Sequence, residues 1–333
     1  MPFSIGLIGA GEVATLHAGL LAADPRVHLA GVYDTAPERA EAFARRFGMI
    51  ARPSLDALLD NAGAVYICSP NTTHAELALA ALAAGRHVFC EKPFAINTED
   101  AMAIHRAASR AAVVYQVGHN RRFAPVYQFL KHAMDRGDLR PQSVHARMNR
   151  GELQRPPWVW DSRLTGGFLY ETPVHMFDLM RFFFGDVRWV QVAARAREHG
   201  EWDDFSILLG FANDLHAAMT TYGHATWHFP FERFEVFGHH ATFETFEMER
   251  IAYTTALDGA TTTLDYSQLT RNERWGYVQE DQKFVDALEG RGPAPVTPDD
   301  GLKVVQLIEA CYAGAKSGER IYLPAEAEMA AQP

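Results

Sequence analysis

The fold is decided by the N-terminal stretch SIGLIGAGEVA, residues 4–14. A short apolar run ends in Gly9-x-Gly11-x-x-Ala14, and a helical pattern follows. This order predicts a first β-strand, a tight turn and the N-terminus of a helix. Gly9 permits the turn, Gly11 lets a phosphate approach the backbone, and Ala14 allows close packing of the helix on the strand. The N–H groups and the dipole of the helix would then hold a pyrophosphate.

A second apolar run, residues 27–33, ends at Asp34. Glycines alone also fit a turn in some other α/β protein, but an acid about 20 residues further on is typical of a dinucleotide site. Asp34 can accept hydrogen bonds from ribose hydroxyls and would repel a 2′-phosphate. The next residues are Thr35, Ala36 and Pro37, so no arginine follows directly. The pattern therefore favours NAD over NADP.

The composition is that of a soluble globular enzyme. The chain has 333 residues, enough for two domains, and is 48% hydrophobic and 22% charged. A net charge of −10 argues against nucleic acid as a partner. The three cysteines lack metal-ligand spacing and favour a reducing compartment. With no secretory signal and no run able to span a bilayer, we expect a cytoplasmic protein without a membrane partner.

The pattern of elements changes near residue 120. Before it, strands alternate with helices, which predicts a doubly wound parallel sheet of the Rossmann type. After it, residues 189–253 read mostly as alternating strands, which predicts a mainly antiparallel sheet within an α+β domain. Further helices are expected at 280–288 and 302–317, and a frayed tail after Pro324. We therefore predict an NAD-binding domain, residues 1–120, and a substrate-binding and oligomerisation domain, residues 121–333.

Glu91-Lys92-Pro93 follows a predicted strand of the parallel sheet. Ligands of such sheets bind at the carboxyl ends of the strands, so Lys92 is placed to reach the reacting end of a dinucleotide. A neighbouring oxidised nicotinamide would favour the neutral amine, which suits Lys92 to proton transfer. Alternatively, Lys92 is a surface lysine paired with Glu91.

A second group lies in the stretch GGFLYETPVHMFD, residues 166–178. Thr172 followed by Pro173 predicts a helix start, with Thr172 as the cap. Glu171 then lies just outside the helix and His175 within its first turn, on the same face as Asp178. Histidine suits general acid–base chemistry because free imidazole titrates near neutrality. A satisfied core histidine is the alternative, which the nearby Glu171 makes less attractive.

An aromatic loop, RPPWVWD at residues 155–161, precedes the glycine pair. Trp160 could stack on the apolar face of a sugar ring while Asp161 holds a hydroxyl, or the loop could serve packing alone. His224 and His228 could form a metal site, but nothing else has ligand spacing. We therefore predict no metal.

In order, GLIGAGEVA, Asp34, CSPNTTH, EKP, GHNRRF and GGFLYETPVHMFDLMRFFFG resemble the motifs of the glucose–fructose oxidoreductase / inositol dehydrogenase / MocA family of NAD(P)-dependent oxidoreductases. The resemblance covers about residues 3–185, and it implies that Lys92, Glu171 and His175 line the substrate site beside the nicotinamide. It also implies that Arg122 approaches the substrate, and that the second domain pairs through its open sheet face into a dimer or tetramer. One departure is Glu171, where the family commonly has aspartate.

We thus predict an NAD-dependent dehydrogenase acting on a secondary alcohol of a cyclic polyol or sugar. His175 takes the hydroxyl proton, Lys92 polarises the oxygen, and Glu171 positions both, although the sequence leaves open whether Lys92 or His175 is the base. A sugar lyase or glycosidase with tightly held NAD, and a non-catalytic NAD-binding regulator, are the alternatives. By motif and resemblance, the cofactor-binding residues are Gly9, Gly11, Glu12, Val13, Asp34, Ser69, Asn71, His74, Glu91, Lys92 and Gln116. The substrate-binding residues are Lys92, Arg122, Trp160, Asp161, Glu171 and His175.

Overall fold

The chain divides into two compact units in a computed structural model that describes residues 2–149, 159–198, 200–226 and 231–324. Unit 1 comprises Met1–His119 and Tyr277–Val305, and unit 2 comprises Asn120–Gly276 and Gln306–Pro333. Residues 277–305, which the sequence prediction groups with the second domain, lie in unit 1. The tail after Pro324 lies outside the described residues.

The described strands are β1 (Phe3–Ile8), β2 (Val27–Tyr33), β3 (Ala64–Ile67), β4 (His87–Glu91), β5 (Tyr115–Gly118), β6 (Pro141–Asn149), β7 (Val187–Ala196), β8 (Trp202–Phe211), β9 (His216–Tyr222), β10 (Glu232–Gly238), β11 (Ala241–Phe246), β12 (Arg250–Thr254), β13 (Thr262–Asp265) and β14 (Ile321–Tyr322). The described α-helices are α1 (Glu12–Ala22), α2 (Pro37–Phe47), α3 (Leu55–Leu59), α4 (His74–Ala83), α5 (Thr98–Arg110), α6 (Pro125–Asp135), α7 (Ser162–Thr165), α8 (Val174–Phe184), α9 (Arg271–Arg274), α10 (Tyr277–Leu288) and α11 (Pro298–Ser317).

Unit 1 contains the predicted parallel sheet. Its five strands are ordered β2-β1-β3-β4-β5, and every neighbouring pair is parallel. Because the strands are parallel, their carboxyl ends lie at one edge of the sheet. That edge carries the glycine turn after β1, Asp34 after β2 and Lys92 after β4.

Residues 277–305 belong to unit 1 because α10 packs against its parallel sheet. Phe284 of α10 is fully buried in the core cluster that also contains Ile5 and Leu7. Its ring lies 5.4 Å from the ring of Tyr66 and 5.6 Å from that of Phe89, edge to face. Helix α10 thus covers this part of the sheet with a large aromatic side chain.

Unit 2 is built on a nine-stranded sheet with the order β13-β12-β11-β10-β6-β9-β8-β7-β14. Neighbouring strands are antiparallel except β6 and β9, which are parallel. The predicted fold class, a parallel Rossmann-type sheet followed by a large mainly antiparallel one, is confirmed. Among the described residues, no helix has the length and apolar character needed to cross a membrane.

Candidate functional site

The glycine turn after β1 has the form that a pyrophosphate requires. Gly9 has a φ of 99°, and a Cβ added there would lie 2.5 Å from the carbonyl oxygen of Cys68. Gly11 caps α1 without a side-chain hydrogen bond, and a Cβ there would meet no heavy atom within 4 Å. The side of Gly11 where a Cβ would lie is therefore open, which leaves room for a ligand beside the N-terminus of α1. Glu12 and Val13 are exposed beside this turn.

Asp34 is fixed by several donors at the end of β2. One carboxylate oxygen accepts the N–H of Ala10 at 2.9 Å, and the other accepts the N–H of Ala36 at 2.8 Å. Arg39 donates to the second oxygen at 2.6 Å. Burial raises the pKa of Asp34, but the bonds from Arg39, Ala36 and Ala10 outweigh this effect and hold that pKa below its ordinary value. An ionised Asp34 is thus joined to the glycine turn through the N–H of Ala10.

The loop after β3 carries Ser69, Asn71 and His74. The hydroxyl of Ser69 is hydrogen-bonded to that of Thr73 at 2.7 Å, and Asn71 is buried. The ring nitrogens of His74 lie 2.7 Å from the Pro93 carbonyl and 3.0 Å from the Ser69 carbonyl. Because burial lowers the pKa of His74, the neutral ring donates to one of them, and the shorter distance favours Pro93. His74 therefore joins this loop to the segment after Lys92.

Glu91 is the last residue of β4, and Lys92 follows it. One oxygen of Glu91 accepts the backbone N–H of Lys92 at 3.0 Å. The other oxygen lies 3.1 Å from Nε2 of His17. A Cβ at Gly118 of the neighbouring β5 would come within 3.1 Å of the Glu91 carboxyl carbon, so a glycine there leaves room for the carboxylate. Glu91 is buried, whereas Lys92 is half-buried.

His17 is a residue that the sequence reading missed. It lies on α1 with none of its surface exposed, and its Nδ1 lies 2.8 and 3.0 Å from the two oxygens of Asp281. Burial alone lowers the pKa of His17, but the carboxylates of Asp281 and Glu91 outweigh it and raise that pKa well above the ordinary value. A polar residue among the small and apolar positions of EVATLHAGLLA was the available signal.

One group of described residues has ligand atoms close enough for a metal, namely His17, Glu91 and Glu280, within 4.8 Å of one another. Both ring nitrogens of His17 are already hydrogen-bonded to carboxylates, so we describe the group as a hydrogen-bonded one. Gln116 lies nearby on β5, fully buried, and its amide donates to the Glu280 carbonyl at 3.3 Å.

In unit 2, Glu171 and His175 lie at the start of α8, with 9% and 5% of their surface exposed. The helix begins at Val174 and Pro173 occupies the cap position, so the predicted cap at Thr172 is displaced by one residue. The backbone carbonyl of Thr172 still accepts the N–H of His175 at 3.2 Å. Glu171 and His175 are thus both buried and lie four positions apart within unit 2.

Arg122 forms an ion pair with a residue of α8. Its guanidinium donates to both oxygens of Asp178, at 2.8 and 2.7 Å, and lies over the ring of Phe182 at 5.2 Å. Both partners of the ion pair are buried. The bidentate geometry gives Arg122 a structural role beside the one that the family resemblance implies.

The aromatic loop is only partly described. Trp160 is 38% exposed, while residues 155–158 lie outside the described residues. Asp161 caps α7 and pairs with Arg163 through two side-chain bonds at 2.8 and 2.6 Å. These bonds from Arg163 lower the pKa of Asp161.

Of the two histidines considered for a metal site, His224 is hydrogen-bonded to Asp203 at 2.7 Å, and His228 lies outside the described residues.

The parallel sheet, the glycine turn after β1 and the acid after β2 together define a dinucleotide-binding domain of the Rossmann type. The oxidoreductase family model for the NAD-binding Rossmann fold (GFO_IDH_MocA) matches residues 3–119, and the GFO/IDH/MocA C-terminal domain matches residues 127–244. The chain therefore belongs to the GFO/IDH/MocA family, as the sequence motifs predict.

Individual relatives differ in substrate. Inositol 2-dehydrogenase of Rhizobium meliloti (strain 1021) is 29% identical over 321 residues, covering 93% of this chain and 96% of that enzyme. Glucose-6-phosphate 3-dehydrogenase of Bacillus subtilis (strain 168) is 34% identical over 187 residues, covering 54% and 53%. GenD2 from gentamicin A biosynthesis, solved in complex with NAD, has a TM-score of 0.85 at 26% identity and 97% coverage of both chains. The protein is thus a Rossmann-fold oxidoreductase of CH–OH groups.

Proposed function

We propose that the protein transfers a hydride between NAD and a secondary alcohol of a cyclic polyol or sugar. The observation that carries this proposal is the position of Lys92. It follows β4 at the sheet edge that also holds the glycine turn and Asp34, and Glu91 fixes its backbone. A lysine at that edge can reach the reacting end of a dinucleotide whose ribose is held by Asp34.

Each residue has a separate part in the reaction. When bound, NAD supplies the acceptor for the hydride that leaves the carbinol carbon. Lys92 donates a hydrogen bond to the reacting oxygen, and His175 takes the hydroxyl proton as the C–H bond breaks. Glu171, four residues before His175, orients the substrate hydroxyl and the imidazole. In the reverse direction His175 returns the proton to the oxygen.

The cofactor we propose is NAD rather than NADP. A 2′-phosphate would meet the ionised carboxylate of Asp34, which repels it. Arg39 is the cation bonded to Asp34, and this ion pair offsets the charge that a phosphate would need.

We also propose that unit 2 forms a homodimer or homotetramer through the open face of its nine-stranded sheet, which light scattering would test.

A substrate panel tests the function. Inositols, aldoses and glycosides are each incubated with NAD or NADP, and NADH or NADPH is followed by absorbance. We expect NADH to accumulate with at least one cyclic polyol or sugar and more slowly, or not at all, with NADP. Product formation without NADH in solution would indicate the lyase or glycosidase alternative. No signal with any compound, despite measurable NAD binding, would contradict the proposal.

A further inference from the structure

A cluster of buried ionisable groups lies beneath the segment that carries Lys92, and no step of the proposed reaction uses it. We name it the His17 cluster, and it consists of His17, Asp281 and Glu91. The three side chains come from α1, α10 and the end of β4. The hydroxyl of Tyr66 adds a hydrogen bond to Asp281 at 3.2 Å.

Packing alone does not account for the His17 cluster. Buried ions lose their hydration, and apolar side chains of similar volume often stabilise a fold as well or better. The surroundings are apolar and aromatic, since the rings of Tyr66 and Phe89 lie 5.2 and 5.0 Å from that of His17. Apolar residues at positions 17, 91 and 281 together would therefore complete this core without desolvating a charge.

The hydrogen bonds of the cluster form a continuous connection to Lys92. Asp281 holds the imidazole through Nδ1, and Nε2 donates to one oxygen of Glu91. The other Glu91 oxygen accepts the Lys92 N–H, and His74 bonds the carbonyl of the next residue, Pro93. The backbone of Lys92 is thus held on both sides by buried side chains.

We propose that His17 is a positioning residue for Lys92: held by Asp281, it keeps the Glu91 carboxylate on the Lys92 N–H, so that the lysine side chain leaves the sheet edge in one direction. This inference rests on the proposed role of Lys92. It assigns His17 no contact with substrate or cofactor. A displacement of about 1 Å at a reacting group can lower a rate about 100-fold, so a fixed backbone has kinetic value.

The charge state of the cluster supports the same role. The hydrogen bond from His17 opposes the effect of burial, which raises the pKa of Glu91, and the net result is a lowered pKa. Without the bond and charge of His17, a buried Glu91 would protonate more readily and bind the Lys92 N–H less well. The titratable groups that lie against the ring of His17 are Glu280, Asp281 and Tyr277 of α10, Glu91 of β4 and Tyr66 of β3.

Two variants and a matched control test the proposal. His17→Gln and Asp281→Asn remove the charge with little change of volume. Asp286→Asn is the control, because Asp286 lies on the same helix but pairs with Arg26, at 2.7 Å. For each protein, kcat, the KM for NAD and the pH profile of kcat are measured with the best substrate of the panel, together with hydrogen exchange at the Lys92 amide.

We expect kcat to fall about 10- to 100-fold in both cluster variants while the KM for NAD stays within about threefold, because the glycine turn and Asp34 are untouched. The kcat of these variants should also fall on acidification at a higher pH than in the wild type. Exchange at the Lys92 amide should be at least about tenfold faster. Asp286→Asn should match the wild type in every measurement.

Amide exchange separates this inference from the proposed function, because it needs no substrate. Faster exchange at Lys92 in Asp281→Asn but not in Asp286→Asn supports the positioning role even if no panel compound reacts. Unchanged exchange and an unchanged pH profile in folded variants would overturn it. If neither cluster variant folds, Tyr66→Phe is measured instead, and wild-type exchange in that variant would assign His17 to the fold alone and overturn the proposal.

Discussion

Arg122 and Asp178 form a buried, bidentate ion pair, with donor–acceptor distances of 2.8 and 2.7 Å. Arg122 belongs to the 3-10 helix Asn120–Phe123, and Asp178 lies one turn beyond His175 on α8. The pair therefore ties the helix that carries His175 to the first segment of unit 2. Removal of one partner would leave the other charge buried without its counter-ion.

Asp178→Asn should lower the free energy of unfolding by about 3–5 kcal/mol, the usual result when a buried pair loses one partner. The double variant Arg122→Met/Asp178→Leu should recover most of that loss, because no unpaired charge remains. Urea denaturation checks both. A double variant no more stable than Asp178→Asn would show that something other than the ion pair holds this segment.

Substitution of the two glycines of the turn should have different effects, one on stability and the other on NAD binding. Gly9→Ala places a Cβ at positive φ against the Cys68 carbonyl, and should lower the free energy of unfolding by at least about 1–3 kcal/mol. Gly11→Ala meets open space, so stability should stay within about 0.5 kcal/mol. Its methyl group would occupy the approach of the pyrophosphate, so the Kd for NAD should rise about tenfold or more. Equal NAD affinity in Gly11→Ala and wild type would place the phosphates elsewhere.

Asp34 should set the cofactor preference. Asp34→Ser removes the charged acceptor for the ribose hydroxyls and releases Arg39, so the Kd for NADH should rise about 10- to 100-fold. The Kd for NADPH should change less or fall, because the repulsion of the 2′-phosphate is gone. Fluorescence titration with both dinucleotides measures this, with the exposed Asp56→Ser as control. A parallel loss for NADH and NADPH would argue that Asp34 only shapes the turn.

His17 should leave a signature in the pH dependence of stability. Its pKa is raised in the folded protein, so its contribution is fully present below the unfolded value of about 6.5 and is lost as the pH rises through the folded value. The free energy of unfolding of the wild type, relative to His17→Gln, should therefore decline above pH 6.5 by up to about 1.4 kcal/mol per pH unit. Denaturation series between about pH 6.5 and 8 stay below the range where unfolded cysteines titrate. A constant difference over that range would mean that His17 is neutral.

Local sequence patterns were enough to predict most of the fold. The glycine turn, Asp34 and the alternation of strands and helices predict the parallel sheet, and period-2 strands predict the second one. The pattern did not indicate that residues 277–305 pack with the parallel sheet, because nothing local to α10 tells which sheet Phe284 covers. That choice depends on a contact with rings more than 190 positions earlier in the chain, such as those of Tyr66 and Phe89.

Candidate site residues were predictable from the sequence where they lie close together in the chain, as in Glu91-Lys92-Pro93 and Glu171-x-x-x-His175. It was not predictable where partners are distant in sequence. His17 and Asp281 are separated by 264 positions, and Arg122 and Asp178 by 56. In each pair, only the fold brings the two opposite charges together.

The central claim, that Lys92 takes part in hydride transfer, is tested most directly by Lys92→Met. The variant keeps the length of the side chain and removes its charge and its proton. At saturating NAD and saturating substrate, kcat measured by NADH absorbance should fall about 100-fold or more, with the Kd for NAD little changed. An unchanged kcat in Lys92→Met would contradict the account.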